Sequence, residues 1–192
     1  FREFWMKEFS DTQLMRLPRL AAPLRADKGD RQIVKFEIPI DDELSDSIVK
    51  LARSLAVPVK TVLLAAHMRV MSAMGGGRDT TSYTVGNGRP ENAEGHRVIG
   101  LFVNSLAFRL PMPGGSWREL IRSTLAKEQS VLPFRRFPMA ELKRQAGNDP
   151  LSETLFFFNH YHVADVLDGR KDAELLGIRV YGESTFPYCI NA

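Results

Sequence analysis

The chain has 192 residues, 44% of them hydrophobic and 26% charged, with a net charge of +3. That length supports one substantial domain or a large piece of one. The near-balanced charge and the small, scattered basic clusters, Arg135-Arg136 and Lys143-Arg144 the densest, exclude a nucleic-acid footprint. No apolar run approaches membrane-span length, the longest (Val62–Ala66) being followed by His67 and Arg69. The single cysteine, Cys189, suits a reducing cytoplasm, and its apolar setting between Phe186 and Ile190 predicts a buried, inert thiol. Both ends read as cuts: the first lies in an aromatic, helix-like segment without Met, the last in a strand-like run.

Residues 1–15 read as a short amphipathic helix and Leu17–Lys28, with two prolines, as an extended linker. Gln32–Ile40 alternates with strand period, Ile33, Lys35 and Glu37 against Val34, Phe36 and Ile38. Asp41 or Asp42 can cap a helix whose apolar face is Leu44, Ile48, Leu51 and Leu55. Val57-Pro58 breaks it. Val59–Met74 is apolar almost all round, which predicts a buried helix, and Gly75-Gly-Gly stops it.

Thr80–Val85 and Ser105–Leu110 read as strands. Ser116-Trp-Arg-Glu119 is a capping box opening a helix to about Val131, with Leu120, Ile121, Leu125 and Glu128 on its inner edge. Pro138 fits the first turn of a short helix ending near Gly147. Thr154–His162, Gly177–Ser184 and Phe186–Ala192 are rich in strand formers. Helices and strands mix without regular alternation. The pattern predicts an α/β (α+β) sandwich on a mixed β-sheet packed by helices, with residues 1–30 as entry helix and linker and 31–192 as the sandwich.

No complete catalytic set appears. His160 and His162, at i and i+2 near Asp165, share a strand face but lack a third metal ligand at usual spacing. His67 sits in the buried helix, where a satisfied core residue is expected, and His96 lies on a polar loop. There is no Gly-x-Ser-x-Gly elbow. Gly86-Asn-Gly88 lacks the third glycine of a dinucleotide loop, and Pro90 blocks a helix there. Gly75-Gly-Gly77-Arg-Asp has no phosphate-binding lysine. Phe1, Phe4 and Trp5 are expected to pack together.

One stretch resists a purely local account. Ile99–Arg109 reads IGLFVNSLAFR, an apolar run with an amide inside it. It resembles the "I-G-x-F-V-N-T-x-x-x-R" motif of condensation domains of nonribosomal peptide synthetases. Phe4-Trp5 with Leu17-Pro18 resembles the "Y-W... L-P" entry to that family's second half. Val59–Ala66 is similar to its long buried helix and Gly86–Pro90 to its "G-R" turn. Leu132–Phe137 sits where the family has "P-F-E", with Arg135 replacing the acid. Asn148–Ser152 and Phe156–Asn159 resemble the last motif in weakened form. The motifs run in family order over nearly the whole chain.

The resemblance implies a chloramphenicol acetyltransferase-like half-domain. The full domain would have two similar halves around a tunnel and form amides between a carrier-bound acyl thioester and a carrier-bound amino acid. The family's His-His-x-x-x-Asp-Gly motif is absent from this chain, and Tyr161-His-Val-Ala-Asp165 does not match its spacing. The chain is therefore expected to be the second half, with no catalytic residue of its own and inactive by itself. It would offer tunnel wall and docking surface, through Asn104, Arg89, Gly100, Phe102, Arg109 and Asn159. Asn104 would face the tunnel or tie down a turn beside it; capping a local turn is the plainer alternative. Arg89 and Arg109 can equally be structural, bonding carbonyls through their forks. No cofactor or metal is expected to bind directly, the phosphopantetheine arm of carrier proteins being the substrate carrier. Implied partners are the N-terminal half, donor and acceptor carrier proteins and a neighbouring adenylation domain, in the cytoplasm. An epimerisation domain, a free-standing acyltransferase of the same fold, and a non-catalytic carrier-docking module are the alternatives.

Overall fold

The computed structural model describes residues 1–10, 15–19, 33–75, 77–92, 94–145, 151–159 and 184–192. Its architecture follows from β1 (Asp79–Asn87), whose residues Thr80–Thr84 are buried on both faces. Only a strand interior to a sheet covered on each side can achieve that. β2 (Val103–Pro111) pairs with β1 antiparallel, from Asp79↔Pro111 to Asn87↔Val103. β3 (Thr154–Phe157) runs parallel to β1 on its other edge, and β4 (Tyr188–Asn191) runs parallel to β3. The order is β2-β1-β3-β4, a mixed sheet.

Helix α3 (Val59–Gly75) lies on one face. Its Leu64 and Met68 pack with Phe108, Leu110 and Phe156. Being apolar all round, it also buries its far side, where Val62 and Ala65 meet Ala52 and Leu55 of α2 (Asp42–Leu55) and Ile121 of α4 (Trp117–Val131). Glu128 of α4 ties the pair together, accepting from Thr61 Oγ1 at 2.6 Å and facing Lys60 Nζ at 3.0 Å. The other sheet face carries Tyr83 and Ala107 under Trp5 of α1 (Arg2–Phe9) and Met139 and Leu142 of α5 (Met139–Gln145). Trp5 is fully buried and its indole donates to Phe134 O at 3.3 Å, while Phe4 stacks on Phe134. Burying such a side chain contributes on the order of 2–3 kcal/mol.

The ends of the helices match their sequence signals. Asp41 caps α2, accepting from Leu44 N at 2.7 Å. Ser116 and Glu119 form the reciprocal capping box of α4.

Several expectations need correction. Residues 33–40 are extended and exposed but join no ladder with a described residue; alternation supplies the face of a strand, not the neighbour that makes it one. The apolar face expected on α2 is only partly covered, Leu55 being buried while Leu44 and Leu51 remain exposed. The first helix ends at Phe9, and Met15 instead bridges in parallel to Ser152. Cys189 is exposed, on β4, the outermost of the described strands; residual desolvation still raises its thiol pKa, against a weaker opposing hydrogen bond from Ser184. β3 is shorter than expected, ending at Phe157. His160, His162, Asp165 and most of Gly177–Ser184 lie outside the described residues, as do Asn148–Pro150 and the His96 side chain. Among the described residues, no helix is long and apolar enough to cross a membrane, and no group of three or more His, Cys, Asp or Glu could hold a metal.

Candidate functional site

The β1–β2 connection, residues 88–102, emerges at the end of the sheet where the parallel strands finish. Its backbone closes on itself, Gly88 N donating to Phe102 O at 2.7 Å. Arg89 fills it from within. One guanidinium nitrogen donates to Gly95 O at 3.0 Å and Val98 O at 2.6 Å, and the group lies 4.6 Å from the centre of the Phe102 ring, a cation–π contact. Gly95 makes this fold possible, since a Cβ there would stand 2.0 Å from Pro90 O. Gly100 lies close to the Phe102 ring.

A second segment clamps the loop from outside. After the short 3-10 turn Leu132–Phe134, Arg135 Nε donates to Asn87 O at 2.9 Å and its Nη2 pairs with Glu91. Arg136 Nε donates to Gly88 O at 2.9 Å and its Nη2 to Arg89 O at 3.3 Å. Three successive carbonyls, 87 to 89, are thus held by two adjacent arginines. Asn104 completes the clamp, its amide donating to Arg135 O at 3.0 Å and Phe137 O at 2.8 Å. The amide inside the apolar run therefore ties down a turn more than thirty residues away. Arg135, standing where the family has an acid, makes contacts that no carboxylate could make: its guanidinium donates to carbonyls and pairs with Glu91.

The clamped loop presents Ile99 and Leu101 to solvent, 98% and 90% exposed. The guanidiniums of Arg89, Arg135 and Arg136 hold backbone carbonyls, and that of Arg97 pairs with Glu94. The loop offers apolar contact through these two side chains, Ile99 and Leu101, and its described carboxylates, Glu91 and Glu94, are paired with Arg135 and Arg97.

Of the remaining expected residues, Asn159 follows β3 at this same end of the sheet, its backbone N–H donating to Ala192 O at 2.9 Å. Arg109 is not brought to the loop: it lies five strand residues from Asn104, roughly 17 Å along β2. It forks onto Asp79, with Nε at 2.8 Å from one oxygen, and donates to Glu8 O at 2.7 Å, linking β2, β1 and α1. A recess of about 340 Å³ lined by Arg69, Arg78, Met112 and Gly114 lies at that far end of the hairpin.

Beneath the sheet, His67 is buried, with Nε2 2.8 Å from Ser82 Oγ, which also takes a hydrogen bond from Thr154 Oγ1 at 2.8 Å. Its Nδ1 has no partner among the described residues. An orphaned acceptor costs less than an orphaned donor, so the neutral tautomer carries its proton on Nε2 and donates to Ser82. Burial lowers the His67 pKa from 6.5 to about 4. This is a core contact between α3, β1 and β3. The roles of Arg135, Arg136 and Gly95 are not legible in the sequence: the Phe-Arg-Arg-Phe segment is visible, but bonds to carbonyls forty residues away leave no local pattern.

Fold and loop together define a family. Residues 1–188 match the family described as Condensation domain, and the chain belongs to it. It is 26% identical over 162 residues to the AMB antimetabolite synthetase AmbE of Pseudomonas aeruginosa, covering 84% of this chain and 7% of that protein. It is 25% identical over 178 residues to bacitracin synthase 3 of Bacillus licheniformis, covering 85% of this chain and 3% of that one. Among solved structures it resembles the first condensation domain of the CDA synthetase, with a TM-score of 0.66 at 20% identity, over 83% of this chain and 34% of that one. At that identity the likeness establishes the fold. The chain thus spans about a third of that solved chain and a small fraction of the synthetases.

Proposed function

We propose that the chain is the second half of a nonribosomal peptide synthetase condensation domain that forms an amide between a carrier-bound acyl or peptidyl thioester and a carrier-bound amino acid. The observation that carries the reading is the family match over residues 1–188, joined to a loop that is held by side-chain hydrogen bonds and presents apolar side chains to solvent. Amine attack on a thioester requires two tethered reactants to be positioned and a developing charge to be stabilised. The family's His-His-x-x-x-Asp-Gly motif, absent here, would supply hydrogen bonding or base character. This half supplies wall and docking surface: Arg89, Gly100, Phe102 and Asn104 shape the loop, and Asn159 lies at the same end of the sheet. Arg109 secures the far end of the strand pair. The phosphopantetheine arms of the carriers bring both substrates, an adenylation domain is the neighbour, and the setting is cytoplasmic. By itself the fragment is inactive.

The test is a single-turnover assay on the full parent domain with one loaded donor carrier and one loaded acceptor carrier, read by intact mass. Growth of the acceptor-bound species by one acyl unit, lost when the second histidine of the absent motif is replaced by Ala, supports condensation. Saturable carrier binding without transfer would replace it with a docking module. Transfer to a free alcohol would point to an acyltransferase, and inversion of the carrier-bound residue to an epimerisation domain.

A further inference from the structure

Two adjacent arginines join the turn at residues 132–137 to the loop at residues 88–102, and one of them acts through a third. Arg136 Nε donates to Gly88 O at 2.9 Å and its Nη2 to Arg89 O at 3.3 Å. It thereby holds the backbone of residue 89, whose own guanidinium reaches on to Gly95 O at 3.0 Å and Val98 O at 2.6 Å. Arg135 fixes the root of the loop. Its Nε donates to Asn87 O and its Nη1 to Leu132 O, each at 2.9 Å, while Nη2 pairs with Glu91. Asn104 ties the turn that carries both arginines to β2. A chain of donors therefore runs from β2, through the turn, to the tip of the loop. The motif that this segment resembles has an acid where Arg135 stands, and a carboxylate cannot donate to a carbonyl. Arg135's share of the clamp thus belongs to this chain rather than to the motif.

The loop's place in the fold gives that chain of donors a use. β3 runs parallel to β1 and β4 parallel to β3, and the loop leaves the carboxyl end of β1. Reactants in open α/β sheets bind beyond the carboxyl ends of parallel strands. The loop has little regular structure of its own, a single 3-10 turn at Gly95–Arg97, and loops longer than about 12 residues of that kind are usually functional. We propose that Arg135 and Arg136 are positioning residues, Arg136 acting through Arg89, and that they set loop 88–102 as a wall against which the tethered reactants align, rather than as a carrier-docking surface. The inference rests on the condensation reading above and deepens it. A wall misplaced by about 1 Å costs on the order of 100-fold in rate. A docking surface acts instead on KM.

The test uses the intact parent domain with loaded donor and acceptor carriers, and pairs kinetics with residue-resolved amide exchange. In Arg136→Ala, kcat for amide formation is expected to fall on the order of 10- to 100-fold, with KM for each carrier changed less than about two-fold. The Val98 amide donates to Gly95 O at 3.4 Å, and Arg136 makes no hydrogen bond to either residue. It should nonetheless exchange about 10-fold faster or more in that variant. Arg135→Gln should lower kcat similarly while Asn104 still holds the residue 135 carbonyl. Arg136→Lys, with the charge but not the fork, should recover part of the rate, and it carries the test if the Ala variant does not fold. Arg144→Gln, which removes a surface pair with Glu141, should change neither readout. A raised KM at unchanged kcat makes the loop a docking surface and overturns the proposal. So does an unchanged kcat, or a lowered one with Val98 exchange unaltered. The two readings fail separately. A normal rate in both arginine variants sinks the clamp and leaves condensation standing. A parent that forms no amide sinks condensation, and Val98 exchange alone then decides the clamp: faster in Arg136→Ala keeps it, unchanged removes it.

Discussion

Asn104 and Arg135 hold each other's segments in place. The Asn104 amide donates to Arg135 O at 3.0 Å, and the Arg135 guanidinium donates back to Asn87 O, at the strand position paired with Val103 beside Asn104. Asn104→Ala removes the donor to two partly buried carbonyls and should lower stability by about 1–3 kcal/mol. Asn104→Asp should cost more, since it turns a carboxylate toward two carbonyl oxygens. Urea unfolding of both variants measures this, and a loss for Asp no larger than for Ala contradicts the donor role.

Gly95 carries a different constraint. With Pro90 O only 2.0 Å from where its Cβ would be, Gly95→Ala must displace backbone, and about 1–3 kcal/mol is expected. Gly114→Ala is the comparison: its φ of +98° is strained for any side chain, but nothing lies within 4 Å. That variant should lose only about 1 kcal/mol. Denaturant midpoints rank the two.

His67 makes folding sensitive to acid. Its folded pKa, about 4, lies below the unfolded value of 6.5. The unfolded state therefore binds the proton more readily. The stability is fully present above pH 6.5 and is lost as pH falls from 6.5 toward 4, by up to about 3 kcal/mol. His67→Gln keeps a donor for Ser82 and cannot titrate. Its unfolding free energy should decline less over that window, and parallel pH curves for the two proteins would remove His67 as the cause.

Arg109 and Asp79 are only partly covered, so the fork between them should be worth about 0.5–1 kcal/mol in spite of its bidentate geometry. A double-mutant cycle of Arg109→Lys with Asp79→Asn gives the coupling. It should shrink between roughly 0.1 and 1 M salt as screening shortens to about 3 Å. The bond from Arg109 to Glu8 O is neutral on the acceptor side and should resist salt.

The elements legible in the sequence are those whose signal is local. α3 declares itself by an apolar surface on every side, α4 by Ser116 and Glu119, and β1 and β2 by their strand formers. Leu44 and Leu51 show the limit: helical spacing says which residues share a face, but not whether anything lies over it. Cys189 misleads because an apolar neighbourhood in sequence does not reveal an outermost strand. At the loop, the motif locates Asn104 and Arg89, yet Asn104's partners at 135 and 137 depend on how a distant turn is folded back. The helix pattern predicts a satisfied core residue at His67, and among the described residues only its Nε2 finds a partner.

The exposed position of Cys189 gives the chain a single native attachment point, since no other residue here carries a thiol. A maleimide dye placed there reports from the outermost described strand, opposite the Leu155 that packs with Trp5 and Leu142. Because the thiol pKa is raised, labelling should run faster as pH climbs past neutrality, so one fluorophore per chain can be installed without altering a single codon.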